Sequence, residues 1–173
     1  QEKPIRDLCK ALGVCNIFPG QLEADDVIYH LSRSLSGLKV IVSSDFDMLQ
    51  LISSSVHVHS PMKKVTYDER NFTDHFPVPV SSYVSYKALI GDKSDNIQGI
   101  PGVGPRRAVK ILSSGIYESL SPTQIQVYEH NMKLVDLHEG LNHHPEEKSI
   151  YDYQLKELDN HKSDFKIFTE LCN

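Results

Sequence analysis

The 173-residue sequence predicts an α/β protein in which a sheet with crossover helices is followed by a helical region. Three observations carry this. Helix and strand patterns alternate through the first part of the chain, the order that builds a sheet with crossovers. Lys39-Val40-Ile41-Val42 is a short apolar run of the kind found in buried parallel strands. Phe76-Pro77-Val78-Pro79 then breaks the pattern, and the spacing beyond it is helical.

The elements follow in order. Ile5, Leu8 and Leu12 stand at helical spacing over residues 3–12, with Gly13 as a stop. Residues 22–35 read as a second helix that ends near Gly37. The strand Lys39–Val42 runs into Ser43-Ser44-Asp45-Phe46-Asp47, and Met48 to Ile52 reads as a short helical turn. Val56-His57-Val58-His59 alternates as a strand does, and Lys64–Tyr67 reads as another. Ser81 is placed to cap a helix with Val84, Ala88, Leu89 and Ile90 on its apolar face. Pro105 suits the first turn of the next helix, through Ala108, Val109, Ile111 and Leu112. A further helix is expected over residues 123–137, a polar loop over 143–148 and a mostly helical stretch over 151–171. The expected organisation is a sheet domain over 1–78, a helical region over 79–140 and a C-terminal helical segment over 141–173.

Composition narrows the function. No apolar run reaches the roughly 18–20 residues that span a bilayer, so no membrane role is expected. Cys9, Cys15 and Cys172 form no C-x-x-C pair, which favours free thiols in a reducing, cytoplasmic setting. The net charge of −5 argues at first against a nucleic-acid partner. Seven of the 23 acids, however, fall in three short clusters: Glu23, Asp25, Asp26; Asp45, Asp47; Asp92, Asp95. Setting these aside leaves 16 acids against 18 Lys and Arg, a surface compatible with a polyanion.

Each cluster has an ordinary explanation. Acids at a helix start favour the macrodipole. Within a helix Glu23 and Asp26 would share a face; if Glu23 lies just before the helix, Glu23 and Asp25 converge instead. Asp45 and Asp47 have a solvated turn with an Asp cap for the next helix as their ordinary reading, but they follow an apolar strand, where ligands of open α/β sheets bind, and in extended chain they point the same way. Asp92 and Asp95 follow Leu89-Ile90-Gly91. Taken together the clusters favour metal. Gathered carboxylates repel by roughly 1–4 kcal/mol per near pair without a counter-ion. Two hard cations, Mg²⁺ or Mn²⁺, relieve this and activate a phosphodiester from both sides.

The most specific element follows the third cluster. Gly99-Ile100-Pro101-Gly102-Val103-Gly104 permits positive φ and close backbone approach. Amides at such a turn, here around Gly99, Ile100, Gly102, Val103 and Gly104, and at the next helix start can hold phosphate oxygens. Lys93, Arg106, Arg107 and Lys110 supply cations nearby. Such contacts position a strand without reading its sequence.

Glu23-Ala24-Asp25-Asp26, the run Ser44 through Leu51, the run Lys87 through Ile97 and the glycine turn Gly99 through Ala108 resemble the structure-specific 5′ nucleases. These are the phage-type flap endonucleases and 5′→3′ exonucleases, related to the 5′ nuclease domain of bacterial DNA polymerase I. The resemblance covers about residues 14–140. It implies a PIN-like parallel twisted sheet, present in part, with a helix–three-turn–helix (helix–hairpin–helix) lobe. It implies hydrolysis of DNA near a 5′ flap or single-strand/duplex junction by a monomer, in the cytoplasm of a cell or of a phage host. By the resemblance Glu23 and Asp25 serve one metal site and Asp92 and Asp95 the other. Asp45 and Asp47 lie between the two, Asp26 acts through water, and the hairpin holds K⁺ and the duplex backbone. Phe46 departs from the pattern, since relatives usually carry a basic residue there. The family's first strand, its N-terminal aspartates and its basic arch are expected to precede Gln1.

The alternative is a non-catalytic duplex-binding fragment with an incomplete active site. A structural or protein-interaction domain with incidental acidic caps is the third reading. His57/His59 and His143/His144 lack partners at zinc-finger spacing. Tyr29, Tyr83 and Tyr86 read as core or rim rather than as base-stacking groups.

Overall fold

A computed structural model describes residues 14, 17 and 23–138. The chain divides into two compact units, Ala24–Gly140 and a second made of 1–23 with 141–173. The second contributes only positions 14, 17 and 23 to the described residues, and the architecture below is that of the first. The expected helices over 3–12 and 151–171, and the 143–148 loop, lie outside the described residues.

Helix α1 (Ala24–Ser34) forms because Val27, Ile28 and Leu31 recur on one face, with Asp25 and Asp26 in its first turn. Gly37, at φ 78°, turns the chain into β1 (Lys39–Val42). A 3₁₀ turn, Phe46–Leu51, buries Met48, Leu49 and Leu51 beneath the sheet's connection to β2 (Val56–Ser60). β1 and β2 pair in parallel, Lys39 opposite Val56 and Val42 opposite His59. β3 (Val65–Tyr67) returns antiparallel, through a turn that holds Lys64 at φ 56°. The described sheet is therefore mixed, its order β1-β2-β3, and parallel only across its first pair.

The expectation of a buried β1 needs correction. Val40 and Val42 are 54% and 68% exposed. Among the described residues the strand has a partner on one side only, and alternation turns these two side chains away from the half-buried Lys39 and Ile41.

A short helix, α2 (Phe72–His75), precedes the proline boundary. Ser81 caps nothing: it sits within a 3₁₀ turn, Val80–Ser82, and α3 (Tyr83–Ile90) starts after it. A two-stranded ribbon unforeseen in the sequence, β4 (Gly91–Asp92) with β5 (Ile97–Gln98), leads into α4 (Pro105–Ser114). Pro105 occupies the first turn of α4, where a missing N–H costs nothing. α5 (Ile116–Ser119) and α6 (Pro122–Val135) complete the lobe. Ser121 and Gln124 form a reciprocal capping box at the start of α6.

α3 is the central element, packed against both α4 and α6. One hydrophobic cluster runs from Leu49 and Val58 through Phe72 and Leu89 to Ile111 and Tyr128, so it is continuous across Pro77 and Pro79. Gln50 bonds the end of α6 twice: its amide donates to the Val135 carbonyl, and its carbonyl accepts from the Leu137 amide at 3.0 Å. No helix among the described residues is long and apolar enough to cross a membrane.

Candidate active site

Asp45 is extended (φ −76°, ψ 123°), but Asp47 already lies in the 3₁₀ turn, so extended chain does not aim the two acids together as expected. The Ser43 amide still pairs with the His59 carbonyl, and Ser43 Oγ accepts the Asp45 amide at 3.0 Å. Asp45 caps the 3₁₀ turn, its Oδ1 accepting the Asp47 amide at 2.8 Å. That cap starts the turn, which carries Asp47 inward. Asp92 lies on β4, where its Oδ1 accepts from the Ser94 amide at 2.8 Å and from the Ser94 hydroxyl. Asp95 stands in the tight turn joining β4 to β5, closed by Asn96 at φ 57°.

The fold thus collects Asp47, Asp92 and Asp95, with one ligand atom of each within 4.8 Å of the others. They border a cleft of about 530 Å³ that Asp45, Phe46 and Tyr83 also line. The remaining acids are not part of this trio. Asp25 and Asp26 sit half-buried in the first turn of α1, a helix that packs on the 3₁₀ turn, and there they favour the macrodipole. Glu23 immediately precedes α1 and is exposed.

Sequence reasoning assigned no role to Lys87. Its side chain is only 7% exposed, and its ammonium bonds Asp47 Oδ1 and, at 2.6 Å, Asp92 Oδ2. Burial would draw the ammonium down, yet the hydrogen bonds and charges of Asp47 and Asp92 outweigh it and hold Lys87 above the ordinary lysine value. Asp47 is raised by burial, which Lys87 offsets only in part, with Asp45 and Asp95 adding repulsion. For Asp92 burial is outweighed by Lys87 and the two Ser94 bonds, which hold it down at about 2. Burial, with Asp47 and Asp92 nearby, also keeps the Tyr83 hydroxyl protonated well above the ordinary tyrosine value. The available signal for Lys87 was a lone lysine inside the apolar run Val84–Ile90, five residues before an acid.

The glycine turn has two jobs. A Cβ on Gly91 (φ 79°) would strike the Gly99 backbone, and one on Gly99 would strike the Ile90 carbonyl. These two glycines let the ribbon lie against the end of α3. Ile100 and Val103 are buried, and their amides donate to Leu89 and Ile100 carbonyls at 2.9 Å, so they shape the turn and do not point amides outward. Gly102 (φ 77°) exposes the turn's tip, where Arg107 Nη1 donates to its carbonyl at 3.2 Å. Gly104 leads into α4, whose first-turn amides have no intrahelical acceptor. Arg106 and Lys110 are exposed one turn apart on α4, and Lys93 is exposed at the cleft. Asn131 was also unforeseen: buried on α6, its amide donates to the Ala88 and Gln98 carbonyls at 2.9 and 2.8 Å.

Residues 78–171 match the family described as 5'-3' exonuclease, C-terminal SAM fold, and residues 1–77 match 5'-3' exonuclease, N-terminal resolvase-like domain. A 5'-3' exonuclease of Aquifex aeolicus is 40% identical over 111 residues, 62% of this chain and 38% of that protein. DNA polymerase I of Deinococcus radiodurans is 34% identical over 149 residues, 79% of this chain and 15% of the polymerase. The solved structure of T5 5'-exonuclease with divalent zinc ions bound aligns with a TM-score of 0.65 at 28% identity, covering 78% of this chain and 57% of that one. The chain spans less than half the length of these curated relatives. The resemblance read from the acid clusters and the glycine turn is borne out: the chain belongs to the 5'-3' exonuclease family.

Proposed function

We propose that this chain carries a divalent-metal-dependent 5′ nuclease site that hydrolyses DNA phosphodiesters near single-strand/duplex junctions. The observation that carries this reading is the convergence of Asp47, Asp92 and Asp95 on one cleft, in a chain that runs on from Asp95 into a glycine turn and a helix start bearing Arg106 and Lys110. The donor set fits a hard cation. All three ligands are carboxylate oxygens, the donor type that Mg²⁺ and Mn²⁺ take. Asp47, Asp92 and Asp95 would hold the metal, with Asp45 at the cleft edge and Glu23, Asp25 and Asp26 proposed for a second ion. When bound, Mg²⁺ or Mn²⁺ supplies an activated water and charge neutralisation at the phosphate.

The chain's own residues do the positioning. Ser94 fixes the rotation of Asp92 through two bonds. Lys87 bonds both Asp47 and Asp92, which offsets the repulsion between them. The first-turn amides of α4, with Lys93, Arg106 and Lys110, are suited to the phosphates of the duplex arm. K⁺ at the hairpin, a monomeric state and an intracellular, reducing setting complete the reading. The last is supported by three cysteines without framework spacing.

One observation favours the alternative of a duplex-binding fragment: Lys87 already neutralises two of the three gathered acids. A single experiment separates the two. End-labelled 5′-flap duplex is incubated with the chain, and with a version extended at its N-terminus, in Mg²⁺ and in EDTA. Cutting in Mg²⁺ alone, lost in Asp92→Ala with the fold intact, is the expected result. Flap binding without cutting by either protein would leave only the duplex-binding reading.

A further inference from the structure

We propose that Phe46 is a stacking platform for a nucleobase, seating the nucleotide next to the phosphate that Asp47, Asp92 and Asp95 address. This rests on the nuclease reading above and specifies how the strand is held beside those acids. Phe46 lies between Asp45 and Asp47 and borders the same 530 Å³ cleft. It is 38% exposed, while its aromatic neighbours Phe72, Tyr83 and Tyr67 are 0%, 4% and 4% exposed. Core packing accounts for those neighbours, and among the described residues Phe46 has ring contacts only with Tyr67 and Phe76, on part of its surface.

The ring is also held rigidly. Tyr67 and Phe76 meet it at near right angles, with centroids 6.4 and 6.0 Å away. Phe76 in turn stacks on Phe72 at 4.7 Å and is met edge-on by Tyr83 at 5.4 Å. The Tyr83 hydroxyl donates to the Phe46 carbonyl at 3.3 Å, which fixes the backbone beneath the ring. A braced aromatic ring loses little conformational entropy when a second ring settles on it.

The chemistry of the cleft selects the occupant. The carboxylates on either side of Phe46 are committed to cations and offer a base nothing to bind, so a base seated here needs a contact that is not ionic. Every nucleobase has a π face, and stacking on an aromatic side chain is indifferent to sequence. It therefore suits a site whose other contacts, at the glycine turn and α4, are to phosphate.

The test uses 5′-flap duplexes with an abasic analogue at each nucleotide flanking the scissile bond, assayed in single turnovers with Mg²⁺. For the wild-type chain, half-saturation should rise about tenfold when the abasic site is at one of these positions. Phe46→Leu keeps an apolar side chain against Tyr67 and Phe76 but removes the π face. It should show the same rise on intact DNA, no further rise on the abasic strand, and an unchanged melting curve. Phe46→Trp should restore wild-type behaviour. As a second readout, 2-aminopurine at that nucleotide should be quenched by wild type and stay bright with Phe46→Leu. An equal abasic penalty in wild type and Phe46→Leu overturns the stacking role alone. If neither the wild-type chain nor its N-terminally extended version cuts the flap in Mg²⁺, the nuclease reading is overturned, and this inference with it.

Discussion

Among individual residues, Lys87 decides how the acid cluster survives without metal. Removing one partner of a buried ion pair leaves the other charges uncompensated, at a cost of about 3–5 kcal/mol. Lys87→Met should therefore lower the urea midpoint sharply in EDTA, and Mn²⁺ should return most of the loss by taking the ammonium's place. Equal midpoints for mutant and wild type in EDTA would show that the ion pairs contribute nothing. The pH dependence of metal-free stability has a definite sign. Asp92 is held down at about 2, so its contribution is complete above the ordinary carboxylate value of about 4 and disappears as pH falls toward 2. Lys87 is held above its ordinary value, so its contribution is complete below about 10.4 and disappears as pH rises through the higher, folded value. Asp92→Asn should flatten the acid limb of a stability–pH curve while leaving the fold intact; a curve of unchanged shape would count against that ion pair.

The β4–β5 ribbon and the glycine turn make opposite demands on their glycines. Gly91→Ala should destabilise by about 3 kcal/mol, because its Cβ meets the Gly99 backbone and its φ is 79°. Gly104→Ala should be nearly silent, since φ is −94° and nothing lies within 4 Å of the added carbon. Thermal melts of the pair test this, and a silent Gly91→Ala would mean the ribbon does not lie against α3 as described. Gly102→Val should weaken duplex affinity more than single-strand chemistry. In the sequence, glycines at 99, 102 and 104 read alike as phosphate-binding; only packing distinguishes them, and packing depends on Ile90 and Gly91, which a local motif does not contain. The ribbon itself went unread for the same reason. Two-residue strands carry no periodicity, whereas Val56-His57-Val58-His59 and the α4 pattern do, and both stand where their spacing placed them.

Across the whole molecule, the order of elements, the parallel β1–β2 pair and the later helical lobe were legible because alternation and proline punctuation are local signals. The exposure of β1 was not, because burial depends on what lies beside a strand. The site was legible as acids in clusters, but not as Asp47, Asp92 and Asp95 gathered by a lysine. On the proposed reading, and with a net charge of −5, the cations near α4 are the groups suited to phosphate. Three phosphate contacts, from Lys93, Arg106 and Lys110, give an expected slope of log affinity against log salt near −3. Arg106→Ala should reduce that slope by about 1, measured by anisotropy on a duplex over a salt series. A slope near zero would remove this surface from DNA binding. The buried amide of Asn131 ties three elements of the lobe together: from α6 it gives one hydrogen to the last turn of α3 and the other to β5. It works as a keystone: β5 cannot slide along α3 without stranding a carbonyl. If these acids take the ion proposed for them, the freedom that a loop of acids would otherwise give up has already been surrendered during folding, and a change at Asn131 on α6 should alter the tightness of ion capture.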